Sequence, residues 1–127
     1  MYRGEIIEES LRDRSVLDSV RIISAEIEAV TSEHRTPWLQ QWTIDTVEIE
    51  DGAIKAFVRK LQKAIETEHS SWFADFKGAQ DHYIVFPGKI FFIDHRRNDT
   101  YTEAVAYGVA LGIPKHQIGF TMNKSKE

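Results

Sequence analysis

The stretch Trp72-Phe73-Ala74-Asp75-Phe76-Lys77-Gly78-Ala79-Gln80-Asp81-His82-Tyr83-Ile84-Val85-Phe86-Pro87-Gly88-Lys89-Ile90-Phe91-Phe92-Ile93-Asp94-His95 decides the architecture. Three runs in it, Trp72 to Lys77, His82 to Phe86 and Lys89 to His95, are dense in aromatic and β-branched residues, which fit a pleated and packed surface. Gly78-Ala79-Gln80-Asp81 and Pro87-Gly88 separate them. Consecutive strands joined by short connections pair antiparallel, so the spacing predicts a three-stranded meander. An L-proline followed by glycine suits a type II or bulged turn better than a primed one, and a bulged hairpin is expected at Pro87-Gly88. Alternation sets Trp72, Ala74 and Phe76 against Phe73, Asp75 and Lys77, and Ile90 and Phe92 against Phe91 and Ile93. Both faces of the meander are apolar and need cover.

Helical patterns flank the meander. Before it, Ile54, Phe57, Val58, Leu61, Ala64 and Ile65 form one apolar stripe in a helix predicted from about Asp51 to Thr67, with Asp51 as cap. After it, Thr100-Tyr101-Thr102-Glu103 fits a capping box. The helix it opens has a small-residue face and stops at Gly112-Ile113-Pro114. Further upstream, Glu5–Leu11, Arg21–Val30 and Trp42–Glu50 read as strands, with a helical turn near Val16–Val20 and a loop over residues 31–41 containing Pro37. In Arg21–Val30, Ile23, Ala25, Ile27 and Ala29 alternate with Ser24, Glu26 and Glu28, the pattern of a strand with one wet face. The resulting class is α+β: an antiparallel sheet of about six strands in the order βββαβββα, with two main helices packed on one face. Residues 1–121 are expected to form one domain and 122–127 a flexible tail. The two βββα halves raise the idea of an internal repeat, but they share no convincing motif.

Composition bounds the function. The chain has 127 residues, 28% of them charged and 42% apolar, as in ordinary globular domains. Residues 1–68 carry a net charge of −5 and residues 69–127 a net of +1, and neither half has the dense basic footprint of a nucleic-acid binder. A nucleic-acid partner is therefore not expected. No cysteine is present, which removes disulfides, cysteine-ligated metals and thiol nucleophiles. No apolar run has signal-peptide or membrane-span length, so a cytoplasmic location and no membrane are expected.

Chemistry-bearing motifs are sparse. His34, His69, His82, His95 and His116 make no metal-ligand spacing, and neither metal nor cofactor is expected. His69, Asp75 and His82 could converge at one end of the meander. His82, His95, Arg96, Arg97 and Thr100 form the candidate ligand set, because two arginines precede a helix N-terminus whose free amides suit an anion. Asp94, Asp99 and Glu103 compete for those arginines, and internal pairing is the favoured reading. Trp38, Trp42, Trp72 and Phe91 are the candidate interface or aromatic pocket. A single layer of helices would leave one face of the meander bare, to be covered by residues 31–41, a ligand or a second copy of the chain.

Thr36-Pro37-Trp38-Leu39-Gln40-Gln41-Trp42-Thr43, His69-Ser70-Ser71-Trp72-Phe73-Ala74-Asp75-Phe76 and Tyr107-Gly108-Val109-Ala110-Leu111-Gly112-Ile113-Pro114 look like segments of a group of short bacterial proteins of unassigned function. The resemblance spans most of the chain, implies a bacterial or archaeal cytoplasmic single-domain protein, and brings no catalytic residue with it. The expected role is a homodimeric, non-enzymatic module that binds a protein partner or a small ligand. The alternative is an enzyme or binding protein for a phosphate or carboxylate substrate at the Arg96/Arg97 loop.

Overall fold

The computed structural model of the chain describes residues 1–96, 99–114, 117 and 118; of Asp99 and Thr100 it describes the backbone. Six strands, β1 (Tyr2–Ile7), β2 (Arg21–Ala29), β3 (Gln41–Ile49), β4 (Ala74–Lys77), β5 (Asp81–Phe86) and β6 (Lys89–Asp94), form one antiparallel sheet in the order β2-β3-β1-β4-β5-β6. Two helices, α1 (Ile54–Ala64) and α2 (Asp99–Ala110), complete an α+β fold. The first half runs β2-β3-β1 and the second β4-β5-β6, so strand order does not repeat between them. The tail expected at 122–127 lies outside the described residues.

The first strand sits nearer the N-terminus than Glu5–Leu11. Glu8–Ser10 turn instead as a short 3-10 segment, from which Glu9 accepts hydrogen bonds from the Thr43 amide (2.6 Å) and hydroxyl (2.8 Å). Helix α1 is shorter than predicted at both ends. Asp51 is not its cap, because its carboxylate takes the N-terminal ammonium of Met1. At the other end Ile65 is extended and bridges Leu11, while the Glu66 amide donates to the Ser10 carbonyl at 2.8 Å. The Pro87-Gly88 hairpin carries no bulge: pairing runs unbroken from Asp81↔Asp94 to Phe86↔Lys89, with Gly88 at φ +72°.

The two helices lie on opposite faces of the sheet, which corrects the expectation of one face. Successive residues of a strand point to opposite sides. On β5, Tyr83 and Val85 join Phe57, Val58 and Leu61 of α1 in one core, whereas Ile84 and Phe86 join Tyr101 and Ala104 of α2 in another. Tyr107 of α2 closes on Phe86 (5.0 Å between rings) and Phe91 (5.5 Å). The second apolar face of the meander is thus covered from within the chain. The argument that it requires a ligand or a second copy falls away.

Cover is uneven elsewhere. Every residue of β2 is exposed, on both faces, where the alternation predicted one dry side. Its neighbour β3 buries Asp45, Val47 and Ile49 on the α1 face. Asp45 is 1% exposed, and neither carboxyl oxygen finds a hydrogen-bond donor among the described residues. Burial, then the neighbouring carboxyls of Glu8 and Glu9, push its pKa up to about 7 against some relief from Arg14. The Asp45 carboxyl lies within hydrogen-bonding reach of Glu8, so a retained proton lets Asp45 donate to it.

That arrangement fixes the sign of a pH dependence. The folded pKa exceeds the unfolded value near 3.8, so the folded state holds the proton more tightly. The associated stability is fully present below pH 3.8 and is lost as pH rises towards about 7. Asp45→Asn should therefore be more stable than the parent above neutrality, with the gap closing on acidification. Urea melts at several pH values check this, and parallel curves for the two proteins would contradict it.

Candidate functional site

The expected histidine–arginine set is only partly assembled. His82 is fully buried on β5, where its Nε2 lies 2.8 Å from Asp75 of β4 and its Nδ1 2.8 Å from the Tyr101 hydroxyl of α2. A carboxylate accepts, so Nε2 carries the proton and Nδ1 accepts from Tyr101. Burial lowers the His82 pKa in spite of the Asp75 carboxylate, and burial raises that of Tyr101. The imidazole is neutral and held on both nitrogens, so the trio fastens α2 to the sheet. His95 stands 6.3 Å away, ring to ring. Arg96 is committed to Asp94 through Nε (3.0 and 3.2 Å) and Nη2 (2.6 Å), and this pairing holds the Asp94 carboxyl well below the ordinary carboxylate range. Arg97 and the Thr100 side chain lie outside the described residues.

His69 does not join Asp75 and His82. It sits 3.2 Å from Glu66, whose other oxygen accepts from Trp72 Nε1 at 2.7 Å. Against the cost of burial, these bonds and those from the backbone amides of Glu68 and His69, which donate to the oxygen on the His69 side, lower the Glu66 pKa. Of the four aromatic candidates, Trp42 and Trp72 do meet, with ring centroids 5.5 Å apart. They wall a cavity of about 230 Å³ with Phe73, over the cross-strand carboxylates Glu5 and Asp75. Trp42 is fixed by its Nε1 donating to the buried Thr36 hydroxyl at 3.0 Å. Trp38 is elsewhere, exposed and tilted over His69 at 5.8 Å. Phe91 faces α2, with the Lys89 ammonium 5.2 Å from its ring centre.

The most exposed apolar element is one that the sequence candidates missed. β2 is an outermost strand, paired to β3 alone, and its Ile22, Ile23 and Ile27 are 44%, 36% and 69% exposed. Register places Ile22, Ala25, Ile27 and Ala29 on the α1 face and Arg21, Ser24, Glu26 and Glu28 on the other, with a bulge between Ile22 and Ser24. Natural edges are commonly blunted by charged side chains (lysine above all), proline or covering loops; β2 has no lysine or proline, and carries the bulge and the charges of Arg21, Glu26 and Glu28 on one face. Its far end is held firmly. His34 Nδ1 accepts from the Thr31 amide (2.9 Å), so Nε2 donates to Glu28 at 2.6 Å, and Gln117 caps the Glu33 and His34 carbonyls. The visible signal was the Ile22-Ile23 doublet, which breaks strict alternation where the bulge falls.

Among the described residues, no group of three or more histidine, aspartate or glutamate side chains is placed to hold a metal ion, and no helix is long and apolar enough to cross a membrane. No protein-family model, curated protein or solved structure matches the chain.

Removing the Tyr101 hydroxyl isolates the role of the buried trio. Tyr101→Phe removes the hydroxyl that donates to His82 Nδ1, and losing such a bond at a buried acceptor costs about 1–3 kcal/mol. Chemical denaturation should show a loss of that size, and a change within error would mean that the bond does not tie α2 down.

Proposed function

We propose that the protein is a non-enzymatic homodimeric module whose two copies join edge to edge through β2. The observation that carries this reading is the complete exposure of a nine-residue, isoleucine-bearing edge strand in an otherwise well-buried fold. An unpaired edge offers a row of amide and carbonyl groups that another strand satisfies. A second copy of β2 fits it in a specific register. About a two-fold axis at Ala25, antiparallel pairing sets Ser24 against Glu26 on one face and Ile23 against Ile27 on the other. The bulge then places Ile22 and Ile23 together opposite Ile27, two residues against one. Beyond it, Arg21 meets Glu28 of the partner, at both ends of the interface, on the polar face where each already lies. Arg21 through Glu28 are all used and the charges match.

A cytoplasmic setting belongs to the same proposal, since the chain has no cysteine and leans on no disulfide. The partner or ligand of the dimer remains the cargo of its other surfaces. The anionic-substrate reading is supported less well, because the Asp94 carboxylate already occupies the Arg96 guanidinium on which it relies.

The register gives a charge-reversal test. Arg21→Glu or Glu28→Arg places like charges opposite each other twice per dimer. Each single variant should weaken the dimer by roughly tenfold, about 1.4 kcal/mol. Arg21→Glu combined with Glu28→Arg should restore most of the loss. Sedimentation equilibrium with circular dichroism as a fold control reads the result. A protein that stays monomeric at high micromolar concentration, or a dimer indifferent to all three variants, would contradict the proposal.

A further inference from the structure

The outer side of α1 bears Lys55, Arg59, Lys60 and Lys63, and Ile54–Ala64 contains no acidic residue. None of these four cations makes an ion pair among the described residues. Lys55, Arg59 and Lys63 are spaced four apart, which stacks like charges on one line and weakens a helix on its own. In a chain of net charge −4 such a concentration is a local exception.

Beside Lys55 and Arg59, an open cleft of about 360 Å³ runs between α1 and the β5-β6 hairpin, lined also by Val58, Tyr83, Ile90 and Phe92. Phe92 leaves half its surface, 50%, open to solvent. Its ring centre is 5.0 Å from that of Tyr83, which is buried against it. The Tyr83 hydroxyl makes no hydrogen bond among the described residues and stays open to solvent, although its ring is packed.

An exposed aromatic face beside two unpaired cations, with an accessible hydroxyl in the same cleft, defines a ligand that is flat and aromatic at one end and anionic at the other. We propose that this cleft binds a nucleotide, its base stacked on Phe92, its phosphate held by Lys55 and Arg59, and a polar edge of the base met by the Tyr83 hydroxyl. Stacking on an aromatic side chain tolerates any base, so the site reads the class of ligand more than the base identity. The inference stands on α1 and the hairpin, away from β2, and does not depend on dimer formation.

Titrations of the isotope-labelled protein with AMP and UMP, followed by amide shifts and calorimetry, test it. Both nucleotides should shift the amides of Lys55, Arg59 and Phe92. Adenosine and inorganic phosphate, each supplying half the ligand, should bind at least about tenfold more weakly. Phe92→Ala and Arg59→Gln, both at exposed positions, should each lower affinity by about tenfold. Lys63→Gln, outside the lining, should leave it unchanged. No saturable binding, or binding insensitive to Phe92→Ala and Arg59→Gln, would overturn the proposal. So would a short single-stranded oligonucleotide that binds far more tightly than the mononucleotide with a steep salt dependence, since the ligand would then be a strand.

Discussion

Two three-stranded units meet where β1 lies beside β4, and the closeness of that meeting is set by the bare α-carbon of Gly4. A β-carbon there would stand 2.0 Å from the Asp75 carbonyl oxygen and 2.5 Å from a ring carbon of Phe76. The space it vacates is filled by Phe76, which is fully buried and stacks edge-on against Phe57 of α1 at 5.6 Å. One continuous sheet, rather than two separate hairpin units, follows from this contact. Because β1 sits at the centre, the first half can grow outward only through β3 and then β2. The N-terminal strand is therefore interior and the second strand is the rim.

The distribution of cover follows from that order. On the α1 face the helix lies over the middle of the sheet, where β1, β3, β4 and β5 contribute Ile6, Val47, Phe76 and Val85 to one core. On the other face α2 covers the β5-β6 side, fastened by the neutral His82 between Asp75 and Tyr101. β2 contributes to neither core, and its nine residues all face solvent. The surfaces left for recognition are then of two kinds: an apolar strand edge at one end of the sheet, and a cationic aromatic cleft towards the other. The tryptophan-walled cavity beside Glu5 and Asp75 lies between them.

Much of this architecture can be read from local pattern. The 3.6-residue stripe from Ile54 to Ala64 and the aromatic runs of the meander are strong because each residue repeats the same message about period. Facing is different. Alternation in His82–Phe86 says that both sides are buried, but not which helix covers which side, and that choice is made by contacts such as His82 with Tyr101, 19 residues apart. The edge position of β2 is also invisible locally. Ile and Glu alternate identically on a strand with one covered face and on a strand with none; only the strand order distinguishes them. The candidate aromatics divide for a similar reason. Trp42 on β3 and Trp72, two residues ahead of β4, meet although they are 30 residues apart in sequence, whereas Trp38 and Phe91 are taken by His69 and Tyr107. Arg96 was legible as a paired residue because Asp94 is two positions away.

The central claim is that the free edge of β2 is satisfied by a second copy of itself. Hydrogen exchange of the β2 amides, followed across a dilution series, tests it most directly. The account predicts that the outward-pointing amides of Arg21–Ala29 are protected in concentrated solution and lose protection on dilution, while β1, β4 and β5 stay protected throughout. Outward amides of β2 that exchange rapidly at every concentration would contradict it.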